Sequence, residues 1–300
     1  MDTKLLSPAL PQELEREIFE LAAYCRPLCV PSLMRVAWRV NRWVKPYLFR
    51  IVLLLEPPSV ETRALKGTAS YPCPDDEPFA RYLSTPASTF RDSTRDLCLR
   101  HVSDEITEYL LSSALNLENL WISPHFSGPL AEMMRSLRLR RLACDLRHMF
   151  GPKTPIDFTH PIFSRLTHLE FFDYGAGLKS EFVSGLASLP HLTHLAFNDR
   201  TFVASALAVL ETCASLRVLI FLTVYRTRES VVDVATAQQL GRDGRFVHMC
   251  CFRYIKDWHM GALTGNDYWA RAEIFIAKRK AGEVNALEYR IEEDESEKLL

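Results

Sequence analysis

Metal binding is the chemistry that the histidines and cysteines of this sequence could most readily perform. His191 and His194 are three residues apart, and Asp199 follows shortly after them. The neighbouring residues have the pattern of a β-strand, in which side chains three positions apart point to opposite faces of the sheet. The two imidazoles therefore cannot bind one metal ion as an i, i+4 pair on a helix can. Cys25 and Cys29 lack a second cysteine pair to complete a zinc site, so we predict no metal ion.

Catalytic motifs are also missing from the sequence. It contains no Gly-x-Ser-x-Gly nucleophile elbow, no Gly-x-x-x-x-Gly-Lys phosphate loop and no dinucleotide-binding fingerprint. Glycine is scarce, with 11 residues in 300, which argues against loops that cradle phosphate groups. We therefore predict that the protein is not an enzyme and needs no cofactor, because catalysis would require a deep polar pocket with clustered titratable groups.

The overall composition is that of a globular protein, with 48% hydrophobic and 24% charged residues. The net charge of −1 predicts no general affinity for nucleic acid or for an anionic membrane, since both need a basic surface. No apolar run is long enough to span a bilayer, and residues 1–8 lack the apolar region of a secretory signal. Eight scattered cysteines, several at apolar positions of the pattern, predict reduced, buried thiols and an intracellular protein, cytoplasmic or nuclear.

The elements that position these side chains are predicted from a six-residue phrase, Leu-x-x-Leu-x-apolar, that recurs through the middle of the chain. The phrase begins at Leu117, Leu139, Leu166, Leu192 and Leu216, with a weaker copy at Thr94. Consecutive copies begin 22 to 27 residues apart, within the roughly 20–29-residue period of leucine-rich repeats. The asparagine or cysteine expected at the ninth position is absent from every copy. Residues 93–252 are therefore predicted to form degenerate leucine-rich repeats, an α/β fold in which parallel strands and helices build a short, irregular solenoid.

Helical patterns lie between the strand phrases. They occupy residues 106–115, 130–137, 182–189, 203–213 and 231–240. Asp104 is a predicted N-cap for the first of these helices, and Pro190 stops the third. A further strand is predicted over residues 246–252, followed by an amphipathic helix over residues 266–280.

Alternation along each predicted strand separates inward leucines from outward side chains. The outward positions of five copies are mixed in charge and include aromatic residues, which suits a surface that binds another protein. We predict a partner-binding concave face made of Asn119, Trp121, Arg141, His168, Glu170, Phe172, His194 and Asn198. His168 and His194 occupy the same position of successive copies and could stack in register as a solvated ladder.

The last copy differs because its outward positions, Val218, Ile220 and Leu222, are all apolar. A strand that is apolar on both sides must be covered. We predict that residues 253–282, which contain Tyr254, Trp258, Tyr268 and Trp269, form a C-terminal cap over it.

Three further segments flank the repeats. Residues 9–55 form a helical block that ends in a strand at residues 51–55, and its first helix carries an apolar stripe that includes Leu14, Ile18 and Leu21. Residues 56–92 are proline-rich and are predicted to be a linker, with a short helix or loop at 79–90 packing on the first repeat. Residues 283–300 are mostly charged and are predicted to be a disordered tail.

The N-terminal block resembles an F-box. The matching residues are Leu10-Pro11-x-Glu13-Leu14, Ile18-Phe19, then Val36, Val40 and Trp43, with Arg35, Arg39 and Arg42 in the family's arginine-rich stretch and Tyr47-Leu48-Phe49-Arg50 after it. The whole chain resembles the F-box-like proteins with degenerate leucine-rich repeats that are numerous in basidiomycete (mushroom-forming) fungi. The segments Asp257-Trp258-His259-Met260-Gly261 and Asp267-Tyr268-Trp269-x-Arg271-Ala272-Glu273 are similar to the C-terminal part of that group.

This resemblance implies the substrate-recognition subunit of a cullin–RING ubiquitin ligase. The helical block would bind the adaptor subunit of the ligase, and the repeats would hold an unknown target protein. The adaptor-facing residues implied by the motif are Leu10, Pro11, Leu14, Ile18, Val36 and Trp43. The alternative is a leucine-rich-repeat interaction scaffold unrelated to ubiquitination, in which the N-terminal helices only cap the solenoid and bury their apolar stripe internally.

Overall fold

The structure is a computed structural model, and it describes residues 10–55, 92–100, 102–123, 129–151, 153–172, 180–199, 202–224 and 234–292. The prediction of a short helix or loop at 79–90 and most of the predicted linker lie outside these residues. Within the described part of the chain, no helix is both long enough and apolar enough to cross a membrane.

In the described part of the chain, nine strands build one sheet in which every neighbouring pair is parallel. The strands lie side by side in chain order, so each is hydrogen-bonded to the strands before and after it in the sequence. They are β1 (Ile51–Leu55), β2 (Asp96–Arg100), β3 (Asn119–Ser123), β4 (Arg141–Cys144), β5 (His168–Phe171), β6 (His194–Phe197), β7 (Val218–Thr223), β8 (Phe246–Cys250) and β9 (Arg290–Ile291). The predicted α/β class with a parallel sheet is confirmed.

Ten α-helices accompany the sheet in the described residues. The N-terminal block contains α1 (Gln12–Cys25), α2 (Val30–Leu33) and α3 (Trp38–Val44), with 3-10 turns at Pro27–Cys29 and Lys45–Phe49. The strand connections contain α4 (Asp104–Ser113), α5 (Leu146–Phe150), a 3-10 turn at Pro161–Phe163, α6 (Ser180–Ala187), α7 (Val203–Thr212) and α8 (Val234–Gly241). The chain then forms α9 (Tyr254–Thr264) and α10 (Tyr268–Lys280) between β8 and β9.

The central leucine of the repeated phrase is in register across the sheet. Cα partners connect it from strand to strand without a slip. The row runs Val52, Leu97, Leu120, Leu142, Leu169, Leu195, Leu219 and Phe246. Because side chains alternate along a strand, the register places all of these on one face, where they form the larger hydrophobic core with helices α4 to α8.

The opposite face of the sheet carries a second core. It combines outward side chains of the strands, among them Trp121, Ile220 and Val247, with residues of α9 and α10. Parallel sheets are normally covered on both faces, which explains why β1 is an uninterrupted apolar run with every residue buried. The apolar strand β7 is covered by the C-terminal segment, since Val218, Ile220 and Leu222 belong to the same core as Tyr254, Trp258, Tyr268 and Trp269.

A third, small core holds the N-terminal block together. Ala23, Val30, Val40 and Val44 are fully buried there, and partly buried side chains such as Phe19 and Trp43 pack around them. Helix α1 begins after Pro11, carries Glu13 and Glu15 in its first turn where the helix dipole favours negative charge, and ends before Pro27. The block is joined to the sheet directly, because the chain passes from Arg50 into β1.

Two of the predicted elements are wrong. Residues 130–137 form successive turns rather than a helix, with the backbone N–H groups of Leu130 and Ala131 both donating to the carbonyl of Met149, at 2.9 and 3.0 Å. The predicted tail at 283–300 is ordered as far as it is described, because Arg290–Ile291 forms β9 beside β8 and the Ile291 side chain is buried. A smaller difference concerns Asp104, which is the first residue of α4 rather than its N-cap; Ser103 precedes it.

Candidate functional site

The residues predicted to face an adaptor lie on the surface of the N-terminal block. Leu10, Leu14, Ile18 and Val36 are 46%, 47%, 54% and 59% exposed, and Pro11 is exposed as well. Trp43 differs, because its ring is partly buried against the small core of the block. Five of the six predicted adaptor contacts are therefore accessible, and Trp43 packs against the interior of the block.

The exposed stripe of α1 points away from the rest of the molecule. Successive residues of an α-helix are about 100° apart, so Leu14 and Ile18 project from one side while Phe19 and Ala23 project toward the core. Leu21, 63% exposed, extends the same stripe by almost one turn. An apolar stripe on a helix normally packs against the core of its own protein. Because this stripe is exposed, it marks a surface suited to binding a helix or a groove of another protein.

Three further exposed apolar or aromatic residues of the block were not among the predicted contacts. Tyr24 is 54% exposed and lies near the end of α1. Leu28 is 57% exposed and Trp38 is 79% exposed. Leu28 follows a proline in a short 3-10 turn, and Trp38 is the first residue of α3, so helical periodicity does not predict the exposure of either.

The predicted concave face is covered, and the prediction that it is open to a partner is wrong. Trp121, Glu170, Phe172 and His194 are all buried, with Glu170 only 1% exposed. The other four residues, Asn119, Arg141, His168 and Asn198, are partly buried. The strand alternation itself is as predicted, but the outward side chains meet α9 and α10 instead of solvent.

Aromatic packing connects the strands to the covering helices. The ring centroid of Trp121 lies 5.6 Å from that of Phe172, on the same face of the sheet, and 6.0 Å from that of Tyr254 in α9. The Trp269 ring of α10 meets His168 and His194 edge-on, at centroid distances of 5.2 and 5.8 Å. These aromatic residues therefore belong to an interface inside the molecule, between the sheet and the helices α9 and α10. An interface within a protein has the same mixture of aromatic and polar residues as an interface between proteins, so the sequence pattern resembles a partner-binding surface.

A buried carboxyl group lies at the centre of this interface. Glu170 Oε2 accepts hydrogen bonds from the hydroxyls of Tyr254 and Tyr268, at 2.5 and 2.6 Å, while Oε1 has no hydrogen-bond partner among the described atoms. Burial raises the pKa of Glu170 to about 7, although the two tyrosine hydroxyls favour the ionised form. Glu170, Tyr254 and Tyr268 are all buried, so a substrate cannot reach this carboxyl group while α9 and α10 are in place.

Two ion pairs fix α9 and α10 relative to each other and to the sheet. Arg271 of α10 pairs with Asp257 of α9 at 2.5 Å, and Asp257 also accepts the backbone N–H of Tyr268 at 2.7 Å. Asp267, the N-cap of α10, pairs with Arg141 of β4 at 2.6 Å. Burial raises the pKa of Asp257 to about 6, with Arg271 acting in the opposite direction.

The predicted histidine stack is present but is not a solvated ladder. The rings of His168 and His194 are 4.0 Å apart and 7° from parallel, and His194 Nε2 lies 3.0 Å from Glu273 Oε1. Burial lowers the pKa of His168 to about 2, and the neighbouring His194 and Arg141 add to that effect. Two stacked neutral imidazoles therefore form part of the internal packing.

None of the seven cysteines that the structure describes forms a disulfide. Cys98, Cys144, Cys213, Cys250 and Cys251 are buried, which confirms the prediction for these five residues. Cys25 and Cys29 are exposed, so the prediction is wrong for them. The eighth, Cys73, lies outside the described residues.

Comparisons with known proteins do not assign the chain. No protein-family model matches it, and no curated protein matches it. The candidate site is the exposed apolar surface along α1. It is here called the α1 stripe and consists of Leu10, which precedes the helix, and of Leu14, Ile18 and Leu21 within it.

Proposed function

We propose that this protein is a protein-interaction module built as a short leucine-rich-repeat solenoid, and that its N-terminal block binds the adaptor subunit of a cullin–RING ubiquitin ligase. In this proposal the chain is an intracellular substrate-recognition subunit that recruits another protein, and binding rather than catalysis is its task. The observation that carries the proposal is the α1 stripe, which is exposed although it is apolar.

The solenoid part of the proposal is supported by the register of the sheet. Each copy of the repeated phrase contributes one strand, the strands follow chain order, and their central leucines form one continuous row. Stacking of similar strand-plus-helix units is the defining property of leucine-rich repeats. Both faces of this sheet are covered, so the proposed solenoid is filled on its concave side and lacks the open concave surface that such repeats often use.

The adaptor part of the proposal is supported by the resemblance to an F-box together with the position of the stripe. Leu10, Leu14 and Ile18 match the motif and are accessible. The alternative, in which the N-terminal helices only cap the solenoid, requires that the stripe be buried internally. In the structure Ala23 and Val40, and not the α1 stripe, fill the interior of the block, and this favours docking over capping.

The test is a binding measurement with a purified cullin–RING adaptor subunit. We expect the full chain to bind it, and we expect Leu14→Ala with Ile18→Ala to reduce the affinity at least tenfold, because exposed apolar anchors dominate such interfaces. The same double variant should lose less than about 1 kcal/mol of unfolding free energy, since neither side chain is in a core.

Leu115→Ala is the matched control, because Leu115 is similarly exposed at 45% but lies beyond α4, outside the N-terminal block. Its affinity for the adaptor should equal that of the unchanged chain. Failure of the unchanged chain to bind, or an unfolding defect in the double variant as large as that of a core substitution, would contradict the proposal and favour the capping alternative.

A further inference from the structure

A second surface of the N-terminal block has a different chemistry from the α1 stripe. A groove of about 980 Å³ lies between α1, α3 and the chain that enters β1 and β2. Five arginines line it: Arg16, Arg39, Arg42, Arg50 and Arg95. Among the described residues, two carboxylates, Glu20 and Asp92, line it with them, so the lining itself carries a surplus of three positive charges in a chain whose net charge is −1. Three further carboxylates reach the arginines from outside the lining: Glu15 pairs with Arg39 at 2.7 Å, and Asp96 and Glu118 lie 4.0 Å from Arg50 and Arg95.

Much of this positive charge remains accessible to a ligand. Arg16 pairs with Glu20 at 2.8 Å, but its side chain is more than half exposed, and such pairs are weak. Arg39 is held more firmly, because its Nε and Nη2 both donate to the Glu15 carboxylate, at 2.9 and 2.7 Å. Arg42 is exposed. The ion pairs that the structure describes in the groove are formed by Arg16, Arg39, Arg50 and Arg95, and Arg42 takes part in none of them. A competing carboxylate can therefore bind Arg16 and Arg42 at little cost.

Aromatic side chains lie between the arginines. Trp38 is 79% exposed at the rim, and Tyr24, Trp43 and Tyr47 line the groove with it. Arg50 is held over the ring of Tyr24, with its guanidinium carbon 4.2 Å from the ring centre, and its Nη1 donates to the Tyr24 carbonyl at 3.0 Å. The groove thus offers flat apolar contacts as well as paired donors, and Arg50 is preorganised in it.

We propose that this groove binds an acidic segment of a partner protein. Guanidinium groups bind carboxylates through two parallel hydrogen bonds, and several of them along one groove favour a chain that bears several carboxylates. The exposed Trp38 ring gives such a segment an apolar anchor. The volume is near the upper end of ordinary ligand sites, about 300–1,000 Å³, and accommodates a short peptide.

A peptide is favoured over nucleic acid by the charge distribution. Nucleic-acid affinity comes mainly from neutralising many phosphates along a broad basic surface. Here the positive surplus is three charges confined to one groove, and the chain as a whole is slightly acidic.

The groove and the α1 stripe occupy different sides of the same helix, so this inference does not depend on adaptor binding. Arg16 is two residues from both Leu14 and Ile18, about 200° around α1. Substitutions in one surface can therefore be made without touching the other.

The experiment measures fluorescence anisotropy of a labelled ten-residue peptide composed of Glu, Asp, Leu and Trp, titrated with the full chain. We expect saturable binding that weakens at least tenfold between 0.05 and 0.5 M salt, which are concentrations chosen to change screening strongly. Arg42→Gln with Arg95→Gln should weaken binding at least tenfold. Arg135→Gln with Arg140→Gln removes the same charge from other exposed arginines and should change it less than twofold.

A second variant, Trp38→Ala, keeps the proposal testable if the arginine double variant does not fold, because Trp38 is too exposed to be needed for folding. It should also weaken binding, whereas Leu14→Ala with Ile18→Ala should leave binding unchanged. Equal losses in the two arginine double variants would show diffuse electrostatic attraction and overturn the proposal.

Two other occupants are distinguished by further measurements. Tighter binding of a labelled oligouridine than of the acidic peptide would identify a nucleic-acid site and overturn the proposal. Residues 75–77 of this chain, Asp-Asp-Glu, are also acidic, so the experiment must distinguish them from a partner's segment. Peptide binding seen only after residues 56–91 are replaced by a glycine–serine linker would assign the groove to this chain's own segment.

Discussion

At the residue scale, Glu170 is an acidic residue buried at the centre of the interface between the sheet and the helices α9 and α10. Burial of its ionised carboxylate is energetically unfavourable. Its carboxyl group is 1% exposed and is held by two tyrosine hydroxyls, while one of its oxygens has no partner among the described atoms. The folded-state pKa of about 7 lies above the ordinary value of 4.5. The folded protein therefore keeps this proton between pH 4.5 and 7, where the unfolded chain has lost it, and stability from this group is full below pH 4.5 and is lost as the pH rises through 7.

Glu170→Gln isolates this effect, because Asp257 and His168 are shifted in opposite directions and complicate the pH dependence of the unchanged chain. Glutamine keeps an oxygen for both tyrosines and cannot ionise. The free energy of unfolding of the variant, relative to that of the unchanged chain, should rise by about 3 kcal/mol between pH 4 and pH 8. This is the energy that corresponds to the difference between the folded-state and ordinary pKa values of Glu170. Urea unfolding at several pH values measures it. A difference between Glu170→Gln and the unchanged chain that does not vary with pH would contradict the prediction.

Sequence alone predicts the side of the strand on which Glu170 lies but not its environment. Strand alternation places it outward, and its charge then indicates a solvent-exposed residue. The two hydroxyls that satisfy it come from Tyr254 and Tyr268, which are 84 and 98 residues away in the chain. Contacts of such separation have no periodic signal, so the burial of the predicted concave face could not be predicted from the pattern of the repeats.

At the scale of elements, the packing of α9 against α10 depends on one close approach. Gly261 lies in α9, and a Cβ atom at that position would come within 2.6 Å of the Asp267 Cβ atom. Asp267 in turn caps α10 by accepting the N–H of Ala270 at 3.0 Å and pairs with Arg141 of β4. A side chain at Gly261 must therefore displace a residue that connects both helices to the sheet.

Gly261→Ala should destabilise the fold by about 1–3 kcal/mol, the usual cost of overpacking, although alanine has the higher helix propensity. Chemical unfolding measures the change. Gly244→Ala is the matched control, because a Cβ atom there meets no atom within 4 Å, and its effect should stay within about 0.5 kcal/mol. A stable Gly261→Ala variant would mean that α9 and α10 can separate without loss.

The strands were more predictable than the connections between them. Each strand repeats the same spacing of leucines, and a register error would move those leucines to the wrong face, so the phrase fixes strand positions closely. Residues 130–137 show the limit of this approach. Leu130, Met134 and Leu137 recur at helical spacing, yet the same spacing occurs in turns that pack one side against the core, and all three are buried.

At the scale of the whole molecule, stability is unevenly divided. Two large cores share one nine-stranded sheet, so the strands and the helices on both faces are expected to unfold together. Among the described residues, the small core of the N-terminal block has four fully buried apolar side chains. The block's described links to the sheet and to α9 are concentrated at Phe49 and Arg50. Thr94 Oγ1 donates to the Phe49 carbonyl at 2.9 Å, the backbone N–H groups of Arg95 and Asp96 donate to the Arg50 carbonyl at 2.9 and 3.0 Å, and Arg50 Nη2 donates to the Ala262 carbonyl of α9 at 3.0 Å.

A core of this size supports little independent stability, so the block should open locally before the sheet unfolds. Hydrogen exchange monitored by mass spectrometry should show amides of α1 and α3 exchanging at least tenfold faster than those of β3 to β7, after correction for intrinsic rates. A binding partner stabilises only the state that it binds, so an adaptor on the α1 stripe or an acidic peptide in the groove should slow exchange in α1 and α3 and leave β3 to β7 unchanged. Equal protection of the block and the sheet in the free protein would show that the N-terminal helices belong to the same cooperative unit, as the capping alternative requires.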